Sequence, residues 1–492
     1  MFNSILEAVV SYAASNADGM ALIDEKYSYT YSQLLSASAY AAEKMKSLGI
    51  KKGDYVVIEA EQSSRYLVMD LACEILGAIF VPVENQAQES RARDIFTESG
   101  AAAIFATSDY SALGSYYKAD VLFEEAPAPL SADAIAAIPL PEAEEIAEIL
   151  FSTGTTGKPK GIMLTHRANI AVAENIISGV KMEKDAVELV PLPLSHSHGL
   201  RTCYAHLVNG STAVIINGVM NVAGLFRMIE EHKINALDFT PTLAKLLMKI
   251  AKKGLVKYAD QIVYIELGTA VLEDDVKEDL KKLFPNTRLY NFYGSTEAGR
   301  SCTYDFNTED YSKCIGYPGA HAQFLIVDEN RQPMASTLEN PGLVAVKGDM
   351  MMSGYFKSPE LTAETLVDGI LYTTDLGYID EAGRVFVFGR ADDVINFKGI
   401  KISPEEIEAP AAGYPGIVDC ACVAIPDKMS GQAPKLFIQV EDPAGFDMIA
   451  YTTFLRGALD QSRVPTKVEI IDLIPRTNNG KLQRKKLREQ LT

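Results

Sequence analysis

Between Phe151 and Gly161 the chain reads Phe151-Ser152-Thr153-Gly154-Thr155-Thr156-Gly157-Lys158-Pro159-Lys160-Gly161, a run of hydroxyls, glycines and two lysines. Glycines let the backbone curl its N–H groups around an anion, and hydroxyl and ammonium groups add further donors, so such a run can hold phosphate oxygens. Only two residues separate Gly154 from Gly157 and Pro159 follows Lys158. The spacing is therefore not GxxxxGK[ST], which excludes a kinase or GTPase loop.

Other polar groups recur downstream. Taken alone, Tyr293-Gly294-Ser295-Thr296-Glu297 reads as a polar β-turn and Tyr372-Thr373-Thr374-Asp375 as a segment ending in a solvated aspartate. Asp392 and Asp393 are neighbours, and on a strand they would point to opposite faces, which argues against a metal or acid–base pair. His196 and His198 could share one face of an extended segment, but two histidines without a nearby Cys or acid in the chain make a weak zinc signal. Lys481 opens a basic stretch to Arg488, predicted to be a helix with Lys485 and Lys486 in solvent.

The elements that must carry these groups follow from hydrophobic spacing. Short β-rich runs at 55–58, 79–83, 187–190, 213–216, 236–240, 262–266 and 288–292 alternate with helical patterns at 225–233, 243–252 and 272–284. Such alternation predicts layered α/β sheets with parallel strands. Residues 125–145, rich in Ala, Pro and acids, read as a surface linker into the strand that ends at Phe151. After Gly319, short strands at 322–327, 343–347 and 384–388 predict a small β-rich lobe, and a final α+β module begins after Arg390. The predicted organisation is an α/β N-terminal domain over 1–390, with that lobe, followed by a smaller α+β C-terminal domain over 391–492.

A chain of 492 residues is long enough for several cores. Its net charge of -19 opposes attraction to nucleic acid or an anionic membrane, so anionic ligands need dedicated sites. Six scattered cysteines form neither a disulfide framework nor paired zinc spacing, which fits a reducing cytoplasm. Cys420 and Cys422 alternate within an apolar run, predicting one buried strand face. There is no signal-peptide pattern at the start and no apolar run of membrane-spanning length.

The loop from Phe151 to Gly161 resembles the signature of the adenylate-forming superfamily, which contains acyl-CoA synthetases, peptide-synthetase adenylation domains and beetle luciferases. Further segments resemble it in the same order: Pro193–Leu200, Gly268–Ala270, Tyr293–Glu297, Tyr372–Asp375, Gly389–Asp393, Phe397–Glu408 and Pro475–Lys481. The resemblance implies ATP, magnesium and coenzyme A as ligands, a small carboxylic acid as substrate, and CoA or a carrier-protein thiol as acceptor. It implies that Ser152, Thr153, Gly154, Thr155, Thr156, Gly157 and Lys160 hold ATP phosphates. Tyr293 would stack on adenine beside Asn291, Phe292 and Gly294, Thr296 would meet the α-phosphate, and Glu297 would help hold magnesium, a cation that takes hard oxygen ligands.

By the same resemblance Asp375 and Arg390 would bind ribose, Asp392 would be the hinge, and Gly399 would line the thiol tunnel. Lys481 would be the catalytic lysine, its ammonium stabilising charge that grows on the transferred group. His196 holds an aromatic-or-histidine position beside the acyl pocket, with Gly268, Thr269 and Ala270 approaching adenine and that pocket. Ser197 stands where amino-acid-activating relatives carry an aspartate for the α-ammonium, which favours an acid without an α-amino group. Two departures are Thr374, where the family has glycine, and Leu343, where many members have glutamate. Together these features predict an AMP-forming acid–thiol ligase.

Overall fold

Every β-rich run expected before residue 293 becomes a strand. In the computed structural model the described residues are 2–153, 159–270, 272–309, 311, 313–397, 400–427, 430–461, 463–476 and 482–489. They divide into two compact units. One consists of Met1–Leu325, Ala345–Tyr372 and Gly383–Val385, the other of Ile326–Val344, Thr373–Ala382 and Phe386–Thr492.

The first unit holds two sheets. One contains β1 (Tyr55–Ala60), β2 (Ile79–Glu84), β3 (Ala103–Ala106), β4 (Ile146–Thr153) and β5 (Pro159–Thr165). Its order is β5, β4, β2, β1, β3, with Gly354–Tyr355 and Tyr116–Lys118 at the edges. β1 runs parallel to β2 and β3, β2 runs parallel to β4, and β4 and β5 form an antiparallel hairpin. Helices α1 (Ser64–Leu76) and α2 (Glu89–Ser99) connect its strands, each ended by a left-handed glycine, Gly77 and Gly100.

The other sheet contains β6 (Val187–Val190), β7 (Thr212–Ile215), β8 (Ala236–Phe239), β9 (Tyr264–Leu267), β10 (Arg288–Ser295) and β11 (Gly299–Asp305). Its order is β11, β10, β9, β8, β6, β7, with β10 to β7 mutually parallel and β11 turned back antiparallel. Strands β7, β8 and β9 are buried throughout, as expected for parallel strands covered on both faces. Helix α3 (Ser197–Asn209) is the crossover between β6 and β7, and every residue from Gly199 to Asn209 in it is buried.

In the second unit β12 (Ile417–Asp427) pairs antiparallel with β13 (Gly431–Val440), which pairs parallel with β14 (Lys467–Ile470). Helices α4 (Pro404–Ala412) and α5 (Met448–Ala458) complete an apolar cluster that includes Ile407, Leu436, Tyr451 and both Cys420 and Cys422. The paired thiols are thus buried on one strand face, as their alternation predicted. All six cysteines are buried and unbridged. The basic stretch after Lys481 becomes helix α6 only over Arg484–Glu489. It is not wholly solvated: Leu487 is fully buried and Arg484 is held by Glu405 and Glu408 at 2.8 and 2.7 Å. No helix among the described residues is long and apolar enough to cross a membrane.

Candidate functional site

Parallel strands end at one edge of their sheet, and ligands of open α/β sheets bind outside those carboxyl ends. Here the neighbouring ends of β6, β8, β9 and β10 deliver, in turn, the segment with His196, Thr240, the triplet Gly268-Thr269-Ala270, and Tyr293–Glu297. Residues far apart in the chain therefore reach one edge. Gly268 must be glycine, because a Cβ there would lie 2.2 Å from the Phe292 ring on the next strand.

β10 and β11 form a tight hairpin in which Ser295 faces Gly299, leaving Thr296, Glu297 and Ala298 as the turn. At Gly294 a Cβ would lie 2.3 Å from the Gly299 carbonyl oxygen, so only glycine lets the strands approach this closely. Glu297 accepts a hydrogen bond from the Tyr355 hydroxyl at Oε1, 3.1 Å away. Among the described residues this is its one side-chain hydrogen bond. Burial and the Glu297 charge push the Tyr355 phenol up, so it stays a donor. The Tyr355 ring also lies 5.8 Å under the Lys160 ammonium, which places one phenol between the cation of the first sheet's hairpin and the carboxylate of the second's.

Upstream on β10, Asn291 is buried and its Oδ1 has no partner among the described residues. An unpaired buried acceptor is costly in isolation, so it suits a ligand that brings an N–H donor. Tyr293 stands edge-on to Phe324, ring centroids 6.3 Å apart. Phe292 is clamped between the Arg300 guanidinium, 3.6 Å from its ring centre, and the edge of His198 at 4.7 Å.

The phosphate-loop segment joins the ends of β4 and β5, where Ser152 pairs with Lys160 and Thr153 with Pro159. Gly154, Thr155, Thr156 and Gly157, and the side chains of Ser152 and Thr153, lie outside the described residues. So do Gly399 and Lys481. The base of the loop is held by Arg91 of α2, which donates to the Phe151 carbonyl at 3.3 Å and forks onto Glu84 at 3.0 and 3.4 Å. His196 is the N-cap of α3, with Ser197 the helix's first residue. Burial pushes its imidazole pKa down, Glu84 opposes this, and Arg91 and His198 add to it.

The two histidines are not on an extended segment, as the sequence suggested, but at the start of a helix. Both His198 ring nitrogens are engaged, at 2.7 Å from Asp238 and 2.8 Å from Thr269, and no group of three or more His, Cys, Asp or Glu is arranged for a metal among the described residues.

In the second unit Asp375 lies half-buried within the strand Ile370–Ile379, and Thr374 continues that strand, its carbonyl accepting from Ala391 N–H at 2.6 Å. Thr374 is exposed and adopts no special turn. Arg390 is exposed at the end of the strand Val385–Arg390. Asp392 and Asp393 sit in the turn that follows, not on the strand. Asp393 pairs with Arg488 at 2.9 Å, while the Asp392 side chain is exposed.

Tyr355, Arg91, Glu84 and Asp238 are the site residues that sequence reasoning missed, and His198, read only as half of a weak metal pair, is bonded instead to Asp238 and Thr269. Each acts through a partner more than twenty residues away or lies in an apolar run, so no local spacing marks it. The signal that could have found Tyr355 is the glycine followed by two aromatics at Gly354-Tyr355-Phe356.

Residues 10–356 match the family model of the AMP-binding enzymes and residues 406–481 that of the AMP-binding enzyme C-terminal domain. The chain is 29% identical to 4-coumarate–CoA ligase 3 of Oryza sativa subsp. japonica, an alignment covering 94% of this chain and 87% of that one. Its fold is similar to that of ATP-bound MatB from Rhodopseudomonas palustris, with a TM-score of 0.86, 22% identity, and 100% and 99% of the two chains covered. It is equally similar to o-succinylbenzoate coenzyme A synthetase (MenE) from Bacillus subtilis in complex with ATP and magnesium ion, with a TM-score of 0.86, 23% identity, and 98% and 99% covered.

Proposed function

The chain belongs to the family of AMP-binding enzymes, and on that footing we propose that it activates a carboxylic acid with ATP and passes the acyl group to the thiol of coenzyme A. A carboxylate oxygen attacks the α-phosphorus and pyrophosphate leaves, giving an acyl-adenylate. The thiol sulfur then attacks the acyl carbon, AMP departs with the electron pair of the broken C–O bond, and the thiol proton is released. The observation that carries this reading is the single phenol of Tyr355, which joins Lys160 beside the loop to Glu297 on the hairpin. A triphosphate needs a cation and a metal-holding acid side by side, and these elements supply both.

Ser152 to Gly157 and Lys160 then grip the phosphates that leave, Thr296 meets the one that stays, and Asn291 offers its unpaired oxygen to the adenine amino group. Tyr293 and Phe292 wall the base with Gly294, and Asp375 and Arg390 take the ribose. Glu297, a hard oxygen donor, suits magnesium, which supplies charge neutralisation on the phosphate oxygens. Lys481 stabilises the charge of the adenylation step. His196, Ser197 and Gly268–Ala270 line the acid, Gly399 lines the thiol path, and the proposed domains, 1–390 and 391–492, turn about Asp392. A cytoplasmic setting fits the unbridged cysteines.

The deciding experiment is pyrophosphate release over an acid panel of 4-coumarate, o-succinylbenzoate and short and medium alkanoates, followed by mass spectrometry for the CoA thioester. Relatives bearing the first two names make those acids the starting points, and Ser197 predicts that α-amino acids are poor. Silence with every acid sinks the ligase reading. Pyrophosphate without thioester moves the acceptor to a carrier protein.

A further inference from the structure

Thr269 is β-branched yet holds φ at +76°, in the left-handed region that such residues avoid. It is exposed, so its hydroxyl could turn to water. Instead the hydroxyl meets His198 Nδ1 at 2.8 Å, and the other ring nitrogen, Nε2, meets Asp238 Oδ1 at 2.7 Å. The His198 side chain is 8% exposed and that of Asp238 is fully buried. The Asp238 Oδ2 accepts from Thr202, one turn further along α3, at 2.9 Å. Thr202 in turn accepts from Arg300 at 3.4 Å, and Arg300 is ion-paired with the buried Glu266.

Donors converge on Asp238 from both ends of this chain. Arg300 donates to Thr202, Thr202 to Asp238, His198 Nε2–H to Asp238, and the Thr269 hydroxyl to His198 Nδ1. The tautomer of His198 is fixed by its two partners. The ends of the chain are the strained Thr269 after β9 and Arg300, three residues past Glu297 on β11. Arg300 and His198 also flank the same Phe292 ring, against which Gly268 packs.

We propose that His198 is a positioning residue: tied to Asp238, it holds Thr269 in its left-handed conformation and so fixes the Gly268–Ala270 wall relative to the Glu297 hairpin. A side chain that merely satisfied a buried acceptor would not need to reach an exposed, strained threonine. Without the bond, Thr269 relaxes toward φ below zero and the competent wall is a minor state, which weakens any ligand against it in proportion to its population.

This rests on the nucleotide reading of the site, so the test separates the two. ATP binding by calorimetry, without acid, compares wild type with His198→Ala, Thr269→Ala, Thr269→Gly and the doubles. His198→Ala and Thr269→Ala each weaken ATP about tenfold, and together they weaken it no more than either alone. Thr269→Gly, which holds positive φ freely, loses clearly less affinity than Thr269→Ala, and added to the His198→Ala variant it raises that variant to the level of Thr269→Gly alone.

Independent, multiplying losses, or no rescue by glycine, overturn the proposal. Should His198→Ala fail to fold, the contrast of Thr269→Ala with Thr269→Gly carries the test, because both leave Asp238 paired. If the wild type binds no ATP, the proposed function fails. The positioning role is then judged by hydrogen exchange at residues 268–270, which quickens about tenfold, and no further in the double, when His198 and Thr269 are changed to alanine. Unchanged exchange refutes it.

Discussion

Tyr355→Phe removes one atom from the contact that joins the two hairpins, and its effect can be worked from the geometry. The hydroxyl donates to a carboxylate, and hydrogen bonds to charged groups contribute about 1.5–3 kcal/mol net. At 3.1 Å the bond is longer than the strongest O–H···O⁻ contacts, and Glu297 is only half-buried, so water replaces part of what is lost. The lower end, about 1.5 kcal/mol, applies. The Lys160 ammonium at 5.8 Å keeps its aromatic face, because phenylalanine retains the ring. Since about 1.4 kcal/mol is a factor of ten, kcat/KM for MgATP falls about tenfold in the pyrophosphate-forming half-reaction.

The loss is partly recovered at high magnesium, because the hydroxyl acts by fixing the carboxylate that faces the cation. The assay is pyrophosphate release at fixed acid with ATP and magnesium varied independently, beside thermal melting of both proteins. A change under twofold refutes the reasoning, as does a tenfold loss that magnesium leaves untouched. A large drop in melting temperature would assign the effect to folding instead.

Four further outcomes follow from other parts of the chain. Burial, then the Glu148 charge, raises the Asp70 pKa from 3.8 to about 7, so the stability contributed by its neutral form is complete below about pH 4 and lost as pH rises through 7. Asp70→Asn, always neutral, therefore gains on the wild type as pH rises from 4 to 8 in urea unfolding, and parallel stability curves would count against this. Gly268→Ala drives a Cβ into a ring pinned from two sides, which costs about 1–3 kcal/mol of stability by melting and raises KM for both acid and ATP. Lys481→Ala abolishes acid-dependent pyrophosphate formation while calorimetric ATP binding persists, and loss of both together would remove its catalytic role. Asp392→Pro slows thioester formation more than adenylation, and equal losses in the two half-reactions argue against a hinge there.

The parallel strands were legible because they announce themselves locally: Val56-Val57-Ile58 and Ala213-Val214-Ile215 are apolar on both faces and bounded by polar turns. The candidate ligand segments were legible because they are contiguous. A hairpin turn such as Ser295–Ala298 needs its glycines and hydroxyls next to one another, so the requirement is written in a few adjacent letters. Partners across sheets leave no such trace. Tyr355 lies 58 residues from Glu297, and Arg91 lies 60 from Phe151. The turn at Asp392 was read as strand because the run of alternating residues before it, Val385–Arg390, gives no sign of where pairing stops.

Helix α3 shows most directly why apolar spacing cannot find such a site. From Ser197 to Asn209 it carries two histidines, an arginine, a threonine and a tyrosine, the pattern of a helix with a solvent face. Yet it has no solvent face. His198, Thr202 and His206, at spacings of four, face the carboxylates of the second sheet, Asp238, Glu266 and Glu188. Arg201 and Tyr204 face the opposite way, to Glu148 on β4 and Asp70 on α1. Each polar group is buried because a neighbouring strand or helix brings its complement, and removing one partner leaves the other unpaired in a dry interior, which costs about 3–5 kcal/mol for an ion pair. The same helix is capped by His196, whose imidazole feels the charges of Glu84 and of Arg91, the arginine that holds the Phe151 carbonyl. A helix wedged between two sheets by polar contacts on both sides has one allowed position along its axis, whereas an apolar one could slide. The polar residues that look like surface in the sequence are therefore what fix His196, at the start of α3, relative to β4.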